Sequence, residues 1–131
     1  MKKISIISPV FSNVLRIPEV SAELLNFFKD KYNFEVFYYY TDKLKAGVID
    51  DYHFNFIKAK SEHNFNDCVV DGFKRVNGDC VIVADLNDAD YLEYLTKLLV
   101  EWEAKAQVVL VKKNPSNGFF GKIKNFFAKI G

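Results

Sequence analysis

Along this chain, short apolar runs alternate with stretches in which apolar residues recur every three to four positions. Lys3 to Val10 is apolar and β-branched, with Pro9 near its end, and predicts a buried parallel strand. "FSNVLRIPEV" reads as a loop in which Pro18 suits the first turn of a helix. Val20, Leu24, Leu25, Phe27 and Phe28 carry that helix towards Lys31. "FEVFYYYT", 34–41, is strongly β-prone. Residues 43–52 give no clear period and fit at most a short helical turn. "FNFIKAK", 54–60, alternates like an edge strand with one wet face. Asn66 to Val76 is helical, with Val69, Val70, Phe73 and Val76 on its apolar side and Gly78 as a C-cap. Asp79 to Asp85 is the most apolar strand, and Asp90 to Lys105 an amphipathic helix built on Leu92, Leu95, Leu98, Leu99 and Trp102. "AQVVLVKK" predicts one more strand, "NPSNG" a loop, and 118–130 a last helix.

Strict alternation of strand and helix predicts one α/β domain over residues 1–131, a three-layer α/β/α sandwich. The right-handed crossover rule gives five parallel strands in the order 3-2-1-4-5 with helices on both faces. The fourth strand, Cys80 to Ala84, should be central and nearly dry. In such sheets a ligand sits beyond the carboxyl ends of the strands where strand order reverses. The first and fourth strands flank that point, and they end in "SPVFSN" and "ADLND". Asp and Asn there suit a metal and a phosphorylated ligand, or the capping of the next helix, for which Asp90 is the N-cap candidate.

Composition narrows the classes. The chain has 131 residues, half of them hydrophobic, enough for one real core. A formal net charge of +1 supplies no field for nucleic acid. Cys68 and Cys80 form neither a metal knuckle nor a disulfide framework, which implies a reducing, cytoplasmic setting. "MKKISIISPVF" breaks at Pro9 and reads as a strand rather than a signal peptide. No apolar run approaches the roughly 20 residues of a bilayer span. The first loop contains no glycine, which argues against a dinucleotide fold or a P-loop. His53 and His63 lie in polar segments, and neither cysteine ends a strand, so thiol and hydrolase chemistry have no positioned pair.

The order and spacing of these segments resemble the family 2 glycosyltransferases, which have the GT-A fold. "ISIISPVFSNVLRIPEVSAELLNFF" is similar to their opening strand, Pro-Val-Tyr-Asn-Glu loop and helix. "NFEVFYYYTD" resembles their second strand, which ends in Asp-Asp-Gly-Ser. "HNFNDCVVDGFKRVNGDCVIVADLNDADYLEYLTKLLVEWE" resembles the segment that leads through a hydrophobic strand into Asp-x-Asp and a helix. "VVLVKKNPSNGFFGKIKNFF" resembles the basic, Phe-rich region of the polyisoprenyl-phosphate sugar transferases. The resemblance covers nearly the whole chain. It implies a donor site at Pro9, Phe11, Ser12, Tyr40, Asp42, Asp85 and Asn87. The implied ligand of the metal site, Asp85 with Asn87, is Mg²⁺ or Mn²⁺ bridging a nucleotide-sugar diphosphate.

The departures fall at that chemistry. Where the family holds the nucleotide base with Asp, this sequence has Tyr40 and then Thr41, with Asp42 two places late. Ser12, with Asn13 beside it, matches the loop Asn. The second Asp of Asp-x-Asp is Asn87, a neutral carbonyl where hard cations prefer charged oxygen; Asp88 and Asp90 stand nearby. The acceptor half with its catalytic base, which sugar transfer requires, has no counterpart in these residues. The expectation is therefore a degenerate, non-catalytic binding or assembly module, with no catalytic residue and no cofactor. The alternative is a nucleotide-sugar-binding part active with an acceptor half or partner chain. A flavodoxin-like or receiver-like domain is a third reading, with Asp85 and Lys112 in its key places, but the first strand lacks that scheme's acidic pair.

In the last helix Phe119, Phe120, Ile123, Phe126, Phe127 and Ile130 share one face, flanked by Lys122, Lys124 and Lys129. It packs on the sheet, or it meets a second copy, another protein or, as the resemblance implies, the inner membrane face.

Overall fold

In the computed structural model, residues 2–10, 16–41, 51–60, 64–84, 86 and 90–103 are described with their side chains and 108–110 by their backbone. The elements in chain order are β1 (Lys3–Pro9), α1 (Ile17–Phe28), β2 (Asn33–Tyr40), β3 (Phe54–Lys58), α2 (Phe65–Arg75), β4 (Cys80–Val83), α3 (Tyr91–Glu103) and β5 (Val108–Leu110). The fold is α/β. Its parallel sheet runs β3-β2-β1-β4, and the three residues of β5 continue it beside β4, Val108 opposite Val81 and Leu110 opposite Val83. The remainder of the expected "AQVVLVKK" strand and the whole of helix 118–130 lie outside the described residues, as does most of segment 43–52.

Alternation along the strands sorts the core into two layers. Ile4, Ile6, Val36, Tyr38, Cys80 and Ile82 point to one face, where they meet Val20, Leu24 and Phe28 of α1 and Leu95, Leu98 and Leu99 of α3. Ile7, Phe37, Tyr39 and Val83 point to the other and meet Cys68, Val69 and Phe73 of α2. β4 is nearly dry as expected: Cys80, Ile82 and Val83 are buried and Val81 is half-buried. Helices cover both faces, α1 and α3 on one and α2 on the other.

Local chemistry explains the helix ends. α1 carries Pro18 in its first turn and stops at Lys29, which adopts φ 30°, a left-handed conformation that cannot continue the helix. α2 starts with a capping box: the Asn64 side chain accepts the Asp67 amide at 3.0 Å while the Asp67 carboxylate accepts the Asn64 amide at 3.1 Å. Gly72 brings α2 against β1, because a Cβ there would sit 2.8 Å from the Ile7 side chain. Gly78 is not the C-cap that the sequence suggested. α2 ends earlier, at Val76 in extended conformation. Glycine is required at 78 because a Cβ would lie 2.4 Å from Ser5 Oγ and 2.8 Å from the Ser5 backbone nitrogen. The backbone thus crosses β1 at contact distance, and the Gly78 amide donates to Ser5 Oγ at 2.8 Å.

Candidate functional site

Strand order reverses at the β1–β4 pair, so the candidate site is the carboxyl edge around those strands and β2. Main-chain bonds define it. The Val10 amide donates to the Tyr39 carbonyl at 2.7 Å, Ala84 to Ile7 at 3.1 Å, and Ala59 to Tyr40 at 2.8 Å. The edge therefore brings together Pro9, Tyr40 and Ala84, the residue before Asp85 in sequence. Of the residues singled out by sequence, Pro9 and Tyr40 are thus placed on neighbouring strands at one edge. Phe11, Ser12, Asp42, Asp85 and Asn87, together with Asn13 and Asp88, lie outside the described residues.

The buried floor of the described edge is apolar. Val10 and Leu86 are each 1% exposed, and Ala84 and Ala59 are buried as well. Ser8, fully buried, accepts the Leu86 amide on its hydroxyl at 3.2 Å, which ties the chain after β4 down onto β1. Tyr40 is half-buried, its ring packed against the core layer shared with α1 and α3. The Asp90 carbonyl accepts the Tyr94 amide at 3.2 Å, the backbone bond expected of an N-cap.

Polar pairs that sequence reasoning missed anchor both helical layers. The run Tyr38, Tyr39, Tyr40 read only as β-prone, yet strand alternation sends its hydroxyls to opposite faces. Tyr38 shares a 3.0 Å hydrogen bond with Ser21 of α1, and Tyr39 donates to Asp71 of α2, which also accepts Arg75 Nε at 2.8 Å. Tyr91, at the start of α3, donates to Glu23 of α1. Burial pushes all three phenols well above their ordinary range, and the Asp71 and Glu23 carboxylates push Tyr39 and Tyr91 further. Burial alone would raise the Asp71 carboxyl, but the bonds from Tyr39 and Arg75 outweigh it and hold Asp71 low. The i, i+4 spacing of Asp71 and Arg75 was the available signal; the tyrosine partners had none.

Neither cysteine is a nucleophile at neutral pH. Both are buried, and burial pushes Cys68 up to about 12 and Cys80 up to about 11. His53 is not at the carboxyl edge. It precedes β3 at the amino edge, stacked on Phe34 at 4.4 Å and 12° and tilted against Tyr52 at 3.9 Å. Its backbone amide donates to Asp51 Oδ1 at 2.8 Å, the main cause holding Asp51 below the usual carboxylate range, and its ring bonds the same oxygen. A cleft of about 360 Å³ opens there, lined by Lys3, Asn33, Phe34, Glu35, Tyr52 and His53. His63 lies outside the described residues.

Among the described residues, no group of three or more His, Cys, Asp and Glu is arranged to hold a metal ion, and no helix is long and apolar enough to cross a membrane. No protein-family model matches the chain, and no curated protein matches it.

Proposed function

We propose that the protein is a family 2 glycosyltransferase-like domain, built on a five-stranded GT-A-type sheet, whose donor site has degenerated and which works as a binding or assembly module. The observation that carries this reading is Tyr40. It ends β2 at the carboxyl edge, where the resemblance calls for a base-holding Asp, and its ring packs against the core. A half-buried phenol there fills space and removes the carboxylate acceptor. The donor set for a bridging Mg²⁺ or Mn²⁺ would be Asp85 with Asn87, one carboxylate and one carboxamide, and this fits a hard dication poorly. No catalytic step is assigned through a metal.

Calorimetry of the chain with UDP, GDP and their sugars, with and without Mn²⁺, tests the reading. The expected result is no binding tighter than millimolar. Micromolar, Mn²⁺-dependent binding would overturn it and support the alternative, a nucleotide-sugar-binding part that acts with an acceptor half or partner chain. Tyr40→Asp combined with Asn87→Asp should then strengthen binding by roughly ten- to a hundredfold, the worth of a charged hydrogen bond of about 1.5–3 kcal/mol.

A further inference from the structure

A second surface lies on the α1/α3 face, away from the switch point. Between the carboxyl-terminal halves of α1 and α3 a groove of about 360 Å³ is lined by Phe27, Tyr32, Thr96, Leu99 and Val100, with Lys31 and Glu103 at its rim. Val100 is 64% exposed, and among the described residues Tyr52 is the other large apolar residue so open to water. Trp102 and Tyr32, with ring centroids 5.9 Å apart, extend the apolar wall. Glu93, Glu101 and Glu103 are all exposed on α3.

The groove's own rim is mixed in charge, with Lys31 and Glu103 in its lining and Lys2 Nζ 5.2 Å from the Trp102 ring, but the chain as a whole separates its charges. Of 18 basic and 17 acidic residues, six lysines and no acidic residue fall in 104–131. Residues 1–103 therefore carry 12 basic and 17 acidic groups, a net −5, and the remainder carries +6. The same basic stretch holds the apolar stripe Phe119, Ile123, Phe126, Phe127 and Ile130, with Lys122, Lys124 and Lys129 beside it. We propose that the segment 118–131 of this chain docks on its own α1–α3 groove, phenylalanines against Leu99 and Val100 and lysines towards Glu101 and Glu103. Reach allows it. From Leu110 at the end of β5 to Phe119 is nine residues, up to about 30 Å when extended. The 13 residues of α3 cover about 20 Å from end to end. Opposite charge favours this occupant over a second copy's acidic body and makes closure sensitive to salt. The inference is independent of the function proposed above.

The test is cysteine pairing in the full chain. Val100→Cys with Phe127→Cys should form an intramolecular disulfide under mild oxidation, on the order of tenfold faster than the control Arg75→Cys with Phe127→Cys, which places the first thiol on the α2 face. High salt should reduce the difference. Pairing no faster than the control, or a disulfide formed mainly between chains, overturns the proposal. The second outcome would assign the groove to another copy. Limited trypsinolysis gives a readout that needs no cysteine. Cleavage at Lys122, Lys124 and Lys129 should be several-fold slower in the wild type than in Val100→Arg, whose change lies on an exposed helix position and leaves the core intact. Equal rates in two folded proteins overturn the proposal.

Discussion

Among the described residues, the two edges of the sheet use their polar groups differently. At the amino edge they are spent on the fold. Ser5 Oγ donates to Glu35 Oε2 at 2.5 Å and accepts the Gly78 amide; Glu35 also accepts the Asn77 amide at 3.1 Å and pairs with Lys3 at 3.3 Å. Lys3 Nζ donates to Asn77 Oδ1 at 2.6 Å, and the Lys3 amide to Asp79 at 2.8 Å. Strand β1, strand β2 and the 76–79 connection are thereby clamped together. At the carboxyl edge the described floor is apolar, held by main-chain bonds and the Ser8–Leu86 contact. The contrast teaches that a dense polar cluster with an open cleft beside it, as at Lys3, Glu35 and His53, marks a structural clamp when every member already has a partner. The carboxyl edge at the topological switch point is the better candidate for binding.

The contrast can be broken by mutation. The largest effect is expected from Gly78→Ala, which overpacks against Ser5 and displaces the Gly78 amide from its hydroxyl. Urea denaturation should show about 2–4 kcal/mol of lost stability. Gly72→Ala is the sharpening control, because its clash is with the Ile7 side chain rather than with backbone and is partly offset by about 1 kcal/mol of helix propensity. Its cost should be clearly smaller. Equal costs would mean that the approach of the 76–79 connection is not the tighter one.

Next comes a direct comparison of the edges. Glu35→Ala leaves the Ser5 hydroxyl and the Asn77 amide without their acceptor and should cost about 2–3 kcal/mol. Ser8→Ala at the carboxyl edge removes one acceptor from the Leu86 amide and should cost about 1–2 kcal/mol. If Ser8→Ala is the more damaging in denaturation, the clamp belongs to the wrong edge.

The smallest effect is expected at the helical layers, through Tyr38, Tyr39 and Tyr91. Their folded-state values are raised above the unfolded value of about 10, so the stability they contribute is complete below pH 10 and is lost as pH rises further. Phenolate absorbance should show these three ionising only together with unfolding. Tyr91→Phe should lose about 1 kcal/mol at neutral pH, for one hydrogen bond, and be less sensitive to alkali. An early, reversible ionisation of all seven tyrosines in a folded protein would show that these hydroxyls are not enclosed.

The sequence by itself determined the elements and their order. Period-two and period-3.6 patterns are local consequences of backbone geometry, so β1, α1, β2, β3, α2, β4 and α3 were all legible within a few residues. Alternation then dictated a parallel sheet, and the return of β4 to the far side of β1 followed from the same logic. Tyr40 at the end of β2 was legible in the same way. Tertiary structure decided the rest. Gly78 looked like a C-cap because glycine after a helix usually is one, but its need comes from a strand 73 residues away in sequence, at Ser5. The Asn64–Asp67 capping box starts α2 at Phe65, one residue before the Asn66 that periodicity alone marks. The partners of Tyr38, Tyr39 and Tyr91 depend on which face each helix covers. Pairings between distant residues carry no local periodicity, and only the packing of the layers brings Glu23 to Tyr91 and Glu35 to Ser5.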